Sequence, residues 1–375
     1  MIVGRGSRDK RRVAHQVFFP VAAVYGALLP PVSLAVMSGL APGLPGLADG
    51  AGHGHEMLFG FALAVVAGYL LGPQPRRRLA ALLALWIAGR VAFLAAPGNA
   101  LGALINAGFA VAVAALVAPK FLGAAKKMRN QAFAPVVVGI SVLATLAQIA
   151  RLLHAGAAEH VLLVEAVLLF ALLALFMGGR IIAAAAAGQR YKQGEKMDVR
   201  VQPRLEGALI AGIASAVVLV PLPYGRVPAA WVLAGCAAVA MVRLLRWRLW
   251  QCRGRPDLAA LAVGYGWIAA GLALLGAALL AGRMETVALH AITVGGLGSL
   301  MLGVMARVAL LRVERDPARS VPVLAGAALL SAAALARVAA GFPLAAAGGL
   351  LWASAWCWSL AFAMLAVTLA RVRPA

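Results

Sequence analysis

The chain has 375 residues, 63% of them hydrophobic and 12% charged, with a mean hydropathy of +0.93. A soluble domain of this size has too little interior to hide that much apolar surface, so a soluble globular protein is excluded. The formal charge of +22 would suit nucleic acid if it were gathered into one patch, but it is spread over short connections, and no nucleic-acid partner is expected.

The expected fold class is all-α, a polytopic membrane helix bundle forming a single integral membrane domain over residues 1–375. A span takes about 20 apolar residues. On that rule about twelve stretches qualify, at roughly 16–38, 54–72, 79–96, 101–119, 132–153, 160–187, 205–220, 229–249, 258–281, 284–310, 321–340 and 346–370. The sixth, tenth and twelfth are long enough to tilt or project. The basic N-terminal tail, 1–14, leads into an apolar run too long for a signal peptide and without a clear cleavage site. The first span is therefore expected to be retained, with a kink at Pro30-Pro31.

Basic residues alternate with the connections. Arg5 to Arg12, then Arg76 to Arg78, then Lys120 with Lys126, Lys127 and Arg129, then Arg190 to Arg204 occupy every second one. Arg243 to Arg255, Arg312 to Arg319, and Arg371 with Arg373 continue the pattern, while the intervening connections carry only Arg226 and Arg283. By the positive-inside rule both termini are cytoplasmic and the span count is even. The stretch 188–204 is the longest cytoplasmic linker. The excess charge is expected to face anionic lipid head groups. Cys236, Cys252 and Cys357 lack metal-type spacing, so neither a disulfide nor a thiolate site is expected.

Along the chain, the Gly- and Pro-rich connection from Ser38 delivers Gly52-His53-Gly54-His55-Glu56-Met57-Leu58-Phe59-Gly60-Phe61 to the mouth of the second span. Helical residues two apart point about 200° away from each other, so His53 and His55 cannot both face one partner. The expectation is His53 in the loop and His55 in the first turn, sharing a face with Phe59 and lying beside Glu56. Arg90 in the third span cannot shed its proton and needs a partner, Glu56 or Glu165, unless it snorkels outward. The fifth span ends Gln148 to His154, and the sixth begins near His160. The twelfth carries Trp352, Trp356 and Trp358, read as an interfacial aromatic belt.

Five of the six histidines, His53, His55, His154, His160 and His290, fall at or near the outer side. His55 is followed by Gly60 and Gly68, and His290 by Gly295 and Gly303, at identical offsets. Two inward-running helices presenting a histidine at similar depth suit the axial ligation of a haem, the glycines leaving room for a flat macrocycle. His55 and His290 are therefore the expected haem ligands, with Glu56 and Arg90 beside the cofactor. His53, His55, His154 and His290 are the candidate metal ligands. The plainer alternative is that these histidines are wet, or satisfied by backbone carbonyls.

The motif His53-Gly54-His55-Glu56-Met57-Leu58-Phe59-Gly60-Phe61 resembles the NnrS family, bacterial membrane proteins associated with denitrification and the response to nitric oxide. The likeness continues through Ala67 to Leu71, Gly89-Arg90, Gly178-Gly179-Arg180, Gly264-Tyr265-Gly266-Trp267 and Leu289-His290-Ala291-Ile292-Thr293-Val294-Gly295 to Arg307-Val308. It implies a twelve-span protein of the bacterial inner membrane that binds haem and copper, meets nitric oxide or a related small ligand, and eases nitrosative stress. The chain departs from the family pattern in Ala183 to Ala187, at Ala262 and at Arg312, which weakens a full set of metal sites more than it weakens the haem. A histidine in the second span and another in the tenth is also the pattern of haem–copper oxidases, but their binuclear centre needs histidines that the seventh span here lacks. The alternative function is a secondary transporter, motivated by the intramembrane charges Glu56, Arg90, Glu165, Arg180, Arg307 and Arg337.

Overall fold

The structure is a computed structural model, and it describes residues 11–41, 43–124, 133–197, 199–283, 285–343 and 345–372. The basic turn Lys126 to Asn130 and residues 1–10 of the tail lie outside the described residues. In chain order the helices are α1 (His15–Met37), α2 (Gly50–His55), α3 (Leu63–Leu70), α4 (Arg76–Ala95), α5 (Ala100–Ala124), α6 (Phe133–Leu152), α7 (Gly156–Lys192), α8 (Pro203–Leu219), α9 (Arg226–Arg246), α10 (Pro256–Leu280), α11 (Thr286–His290), α12 (Ser299–Arg312), α13 (Val321–Ala339) and α14 (Ala347–Arg371). A π-helical segment, Glu56–Ala62, joins α2 to α3, and another, Ala291–Gly298, joins α11 to α12.

Among the described residues ten helices are long and apolar enough to cross a membrane. The other two expected spans are also helical. Residues 50–70 run as α2, the π segment and α3, and α8 has 17 residues, about 26 Å at 1.5 Å per residue. The expected linker 188–204 is shorter as a loop, because α7 runs on to Lys192 and α8 starts at Pro203. α1 passes through Pro20, Pro30 and Pro31 as one helix. Among the described residues the bundle also carries one small sheet. β1 (Arg11–Val13) pairs antiparallel with β2 (Pro73–Pro75), Arg12 opposite Gln74.

α7 is the axis. Its apolar window is the most buried of the ten, and it packs on α6, α8 and α10 and on α2. α4, α5 and α6 pack in sequence on one side of it, and α8, α9 and α10 on the other. α14 closes the bundle by lying against both α13 and α1. That last contact is specific: Trp358 Nε1–H donates to the Gly26 carbonyl at 2.8 Å, and Phe61, Trp358 and Phe362 pack as an aromatic cluster. Trp358 is therefore a core residue rather than part of a belt, whereas Trp356 is 60% exposed. Glycines in the family-like motifs serve this packing too, Gly178 meeting Tyr265 and Gly179 meeting the buried Arg243.

Candidate functional site

Both His53 and His55 are helical, because α2 begins at Gly50. Asp49 caps it, its carboxylate accepting from the Gly52 N–H at 2.6 Å. The two rings then point to different places, as the 200° separation requires. What differs from expectation is which ring faces the cavity.

His55 is buried in a polar chain that links α1, α4, α5 and α6. Its Nδ1–H donates to Glu56 Oε1 at 3.1 Å, and its Nε2 accepts from the Gln148 amide. Its ring stacks on Phe93 with centroids 3.9 Å apart and meets Phe59 edge-on. Arg90 donates to Glu56 Oε1 at 2.6 Å, so the pairing expected of Arg90 is made with Glu56. Tyr25 O–H donates to the other Glu56 oxygen, and Arg90 also donates to Asn106. Asn106 in turn donates to the carbonyls of Gly89 and Gly102. A carboxylate with three donors and an arginine with two acceptors is how a buried ion pair is kept tolerable. Both nitrogens of His55 are spent inside the protein, so no lone pair is left for a metal. Glu165 has no ion-pair partner among the described residues.

His53 faces a cavity of about 640 Å³ between α1, α2 with its π segment, α7, α11 with its π segment, α13 and α14. This is within the range of ligand pockets, about 300–1,000 Å³. Across it lies His290. The two rings are 6.5 Å apart between centroids, with planes 12° from parallel. The His290 Nδ1 is 2.7 Å from the Thr286 carbonyl. A carbonyl only accepts, so Nδ1 carries the proton and Nε2 keeps its lone pair, the tautomer of a metal-binding histidine. The His53 side chain makes no hydrogen bond among the described residues, and its Nδ1 is buried without a partner. Arg337 lines the same cavity and has no ion-pair or hydrogen-bond partner among the described residues. Met57, Met301 and Thr293 complete the wall, and His160 stands at its rim, 3.5 Å from Glu285.

The structure thus brings His53 and His290 together, and holds His55, Glu56 and Arg90 in a separate network. His154 lies in the turn after α6 as an exposed residue with φ 54° and reaches neither. Among the described residues no three or more His, Cys, Asp or Glu gather as a metal-ion set. The matched glycine offsets are real in the backbone, since each histidine is followed directly by a π segment. Such segments are frequent at functional sites. The space they leave is filled by protein, however. Gly60 accommodates Arg90, Tyr25 and Glu56, while Gly295 accommodates Trp267. The π segment after His55 also brings the Gly60 carbonyl to Trp86, whose Nε1–H donates to it at 3.0 Å. The sequence reading missed Arg337 as a wall of this cavity and Tyr25, Asn106 and Gln148 as members of the network. Their only signal was a polar residue inside an apolar span.

A family model described as NnrS protein matches residues 11–373. No curated protein matches the chain.

Proposed function

The chain belongs to the NnrS family, and from that premise we propose that it is a haem protein of the bacterial inner membrane that takes part in the nitric oxide response. The observation that carries this reading is the facing pair His53 and His290. Two imidazoles on one metal, each nitrogen about 2 Å from it, have ring centroids roughly 6 Å apart, against 6.5 Å here. The residues fit the group in three further respects. His290 holds its metal-binding tautomer through Thr286, His53 has an orphaned buried nitrogen, and the unpaired Arg337 offers a cation to the carboxylates of a porphyrin. Bound there, a haem supplies an iron centre for small diatomic ligands. The protein's own part is to orient the rings, exclude water with Leu58, Leu163 and Trp358, and balance charge with Arg337. Copper, the other metal the family resemblance implies, has soft thioether donors on the same wall in Met57 and Met301.

Twelve crossings with both termini in the cytoplasm belong to the same reading. Arg11, Arg12, Val13 and His15 line one cavity together with Leu369 and Val372, so the two ends of the described chain share one end of the bundle, which supports an even count. The transporter alternative loses much of its motive, because Glu56 pairs with Arg90 and Arg307 with Asp257.

The test is an optical spectrum of the purified protein, oxidised and reduced, with metal analysis for iron and copper. A low-spin haem spectrum is expected, lost in His53→Ala and in His290→Ala and kept in His160→Ala. A colourless, metal-free protein from haem-replete cells would overturn the proposal. A strain lacking the protein is expected to grow poorly under a nitric oxide donor and to be rescued by the native chain but not by His290→Ala.

A further inference from the structure

A second cavity, of about 460 Å³, lies where α1 begins and where α12 and α14 end, at the opposite end of the bundle from His53. Five of its lining residues are basic: Arg11, Arg12, His15, Arg76 and Arg312. No acidic side chain lines it among the described residues. The internal contacts of these groups are few and long. Arg12 Nε donates to Gln16 at 3.4 Å, and Arg312 stands 3.4 Å from the His15 ring. Arg11 and Arg76 have no hydrogen-bond or ion-pair partner among the described residues.

This concentration is built rather than incidental. The β1–β2 ladder sets Arg11 against Pro75 and Arg12 against Gln74, which carries the tail's arginines to the side of Arg76. Like charges held together in this way repel one another unless an anion lies between them. Apart from Gln16, the remaining wall, Phe19, Pro20 and Leu369 among it, is apolar. A site basic on one side and apolar on the other, at the level where helices leave the bilayer, matches an amphiphile.

We propose that this cavity binds the head group of an anionic phospholipid. The guanidinium groups of Arg11, Arg12, Arg76 and Arg312 hold the phosphate oxygens, and Phe19, Pro20 and Leu369 lie along the glycerol and the first acyl carbons. Guanidinium pairs with phosphate through two parallel hydrogen bonds, which a point charge cannot do. Basic pockets between membrane helices are a known form of lipid recognition.

The experiment is native mass spectrometry and thermal unfolding of the full chain in detergent, with added phosphatidylglycerol, phosphatidylcholine or inorganic phosphate. Phosphatidylglycerol is expected to remain bound and to raise the unfolding temperature, and the other two are not. Arg12→Gln and Arg312→Gln, each checked for folding by circular dichroism, are expected to weaken retention more than tenfold, with Arg312→Lys recovering part of it. Arg204→Gln, an exposed arginine outside the cavity, is expected to leave retention unchanged. Equal retention of phosphatidylcholine, a full shift from phosphate alone, or an equal loss in Arg204→Gln would each overturn the assignment.

Discussion

Removing either partner of the Glu56–Arg90 pair leaves a charge buried among apolar helices with no counter-ion. Glu56→Ala or Arg90→Ala is therefore expected to cost about 3–5 kcal/mol, read from thermal unfolding in detergent. The double variant should cost less than the sum, because the charge each single variant strands is then gone. His55→Ala tests a different role. It removes the partner of Gln148 and should destabilise the fold while leaving any His53/His290 spectrum in place. Asp49, outside the helices, has a titration with a definite sign. Burial works against its charge, but hydrogen bonds from Arg151 and from the backbone N–H groups of Gly52 and Ala51 hold its carboxyl below the usual range. A lowered folded value contributes stability that is present above the ordinary carboxylate pKa, about 3.9, and is lost as pH falls through the lowered one. The connection before α2 should resist proteolysis at neutral pH and open only in acid, and Asp49→Asn should remove that dependence. The carboxylate is half exposed, so the effect is modest.

At the scale of the element, the two π segments decide which histidine meets which partner. Each adds about one residue to a turn, and one residue corresponds to roughly 100° of helix rotation. Deleting Val294 is expected to restore α geometry between α11 and α12 and to swing His290 out of the cavity. The spectrum should vanish although circular dichroism is retained. The helices themselves were legible in the sequence, because hydropathy and the basic connections both report where the chain meets water. The expected span 321–340 and the observed α13 differ by one residue. The facing of His53 was not legible. It depends on α2 starting at Gly50 under the Asp49 cap, several residues before the apolar run begins, and on a π turn that no residue type announces. The matched glycines were visible, but glycine shows only that something comes close, and here it is Arg90 and Trp267 rather than a cofactor.

At the scale of the whole molecule, the short α8 is the element on which the span count turns. Its 17 residues are at the lower limit for crossing roughly 30 Å of hydrocarbon. Tyr191 before it and Tyr224 after it are 82% and 94% exposed. In a background without the three native cysteines, Tyr191→Cys and Tyr224→Cys are expected to label from opposite sides of the membrane with an impermeant thiol reagent. Labelling from the same side would remove α8 as a crossing and make the count odd. The charge alternation and the shared end of the two chain ends argue against that outcome.

The packing of α14 against α1 has a consequence for biogenesis. The wall of the His53/His290 cavity takes Pro30 and Leu34 from the first helix and Leu351, Ser354 and Trp358 from the last. While the ribosome is still feeding the chain into the translocon, the first helix waits in the membrane with its Gly26 carbonyl unmatched by the Trp358 indole. The chamber exists only once α14 has been made and has packed against α1, so its occupant must be inserted afterwards. Chains stopped before α14 should reach the membrane and remain colourless, even where haem is abundant.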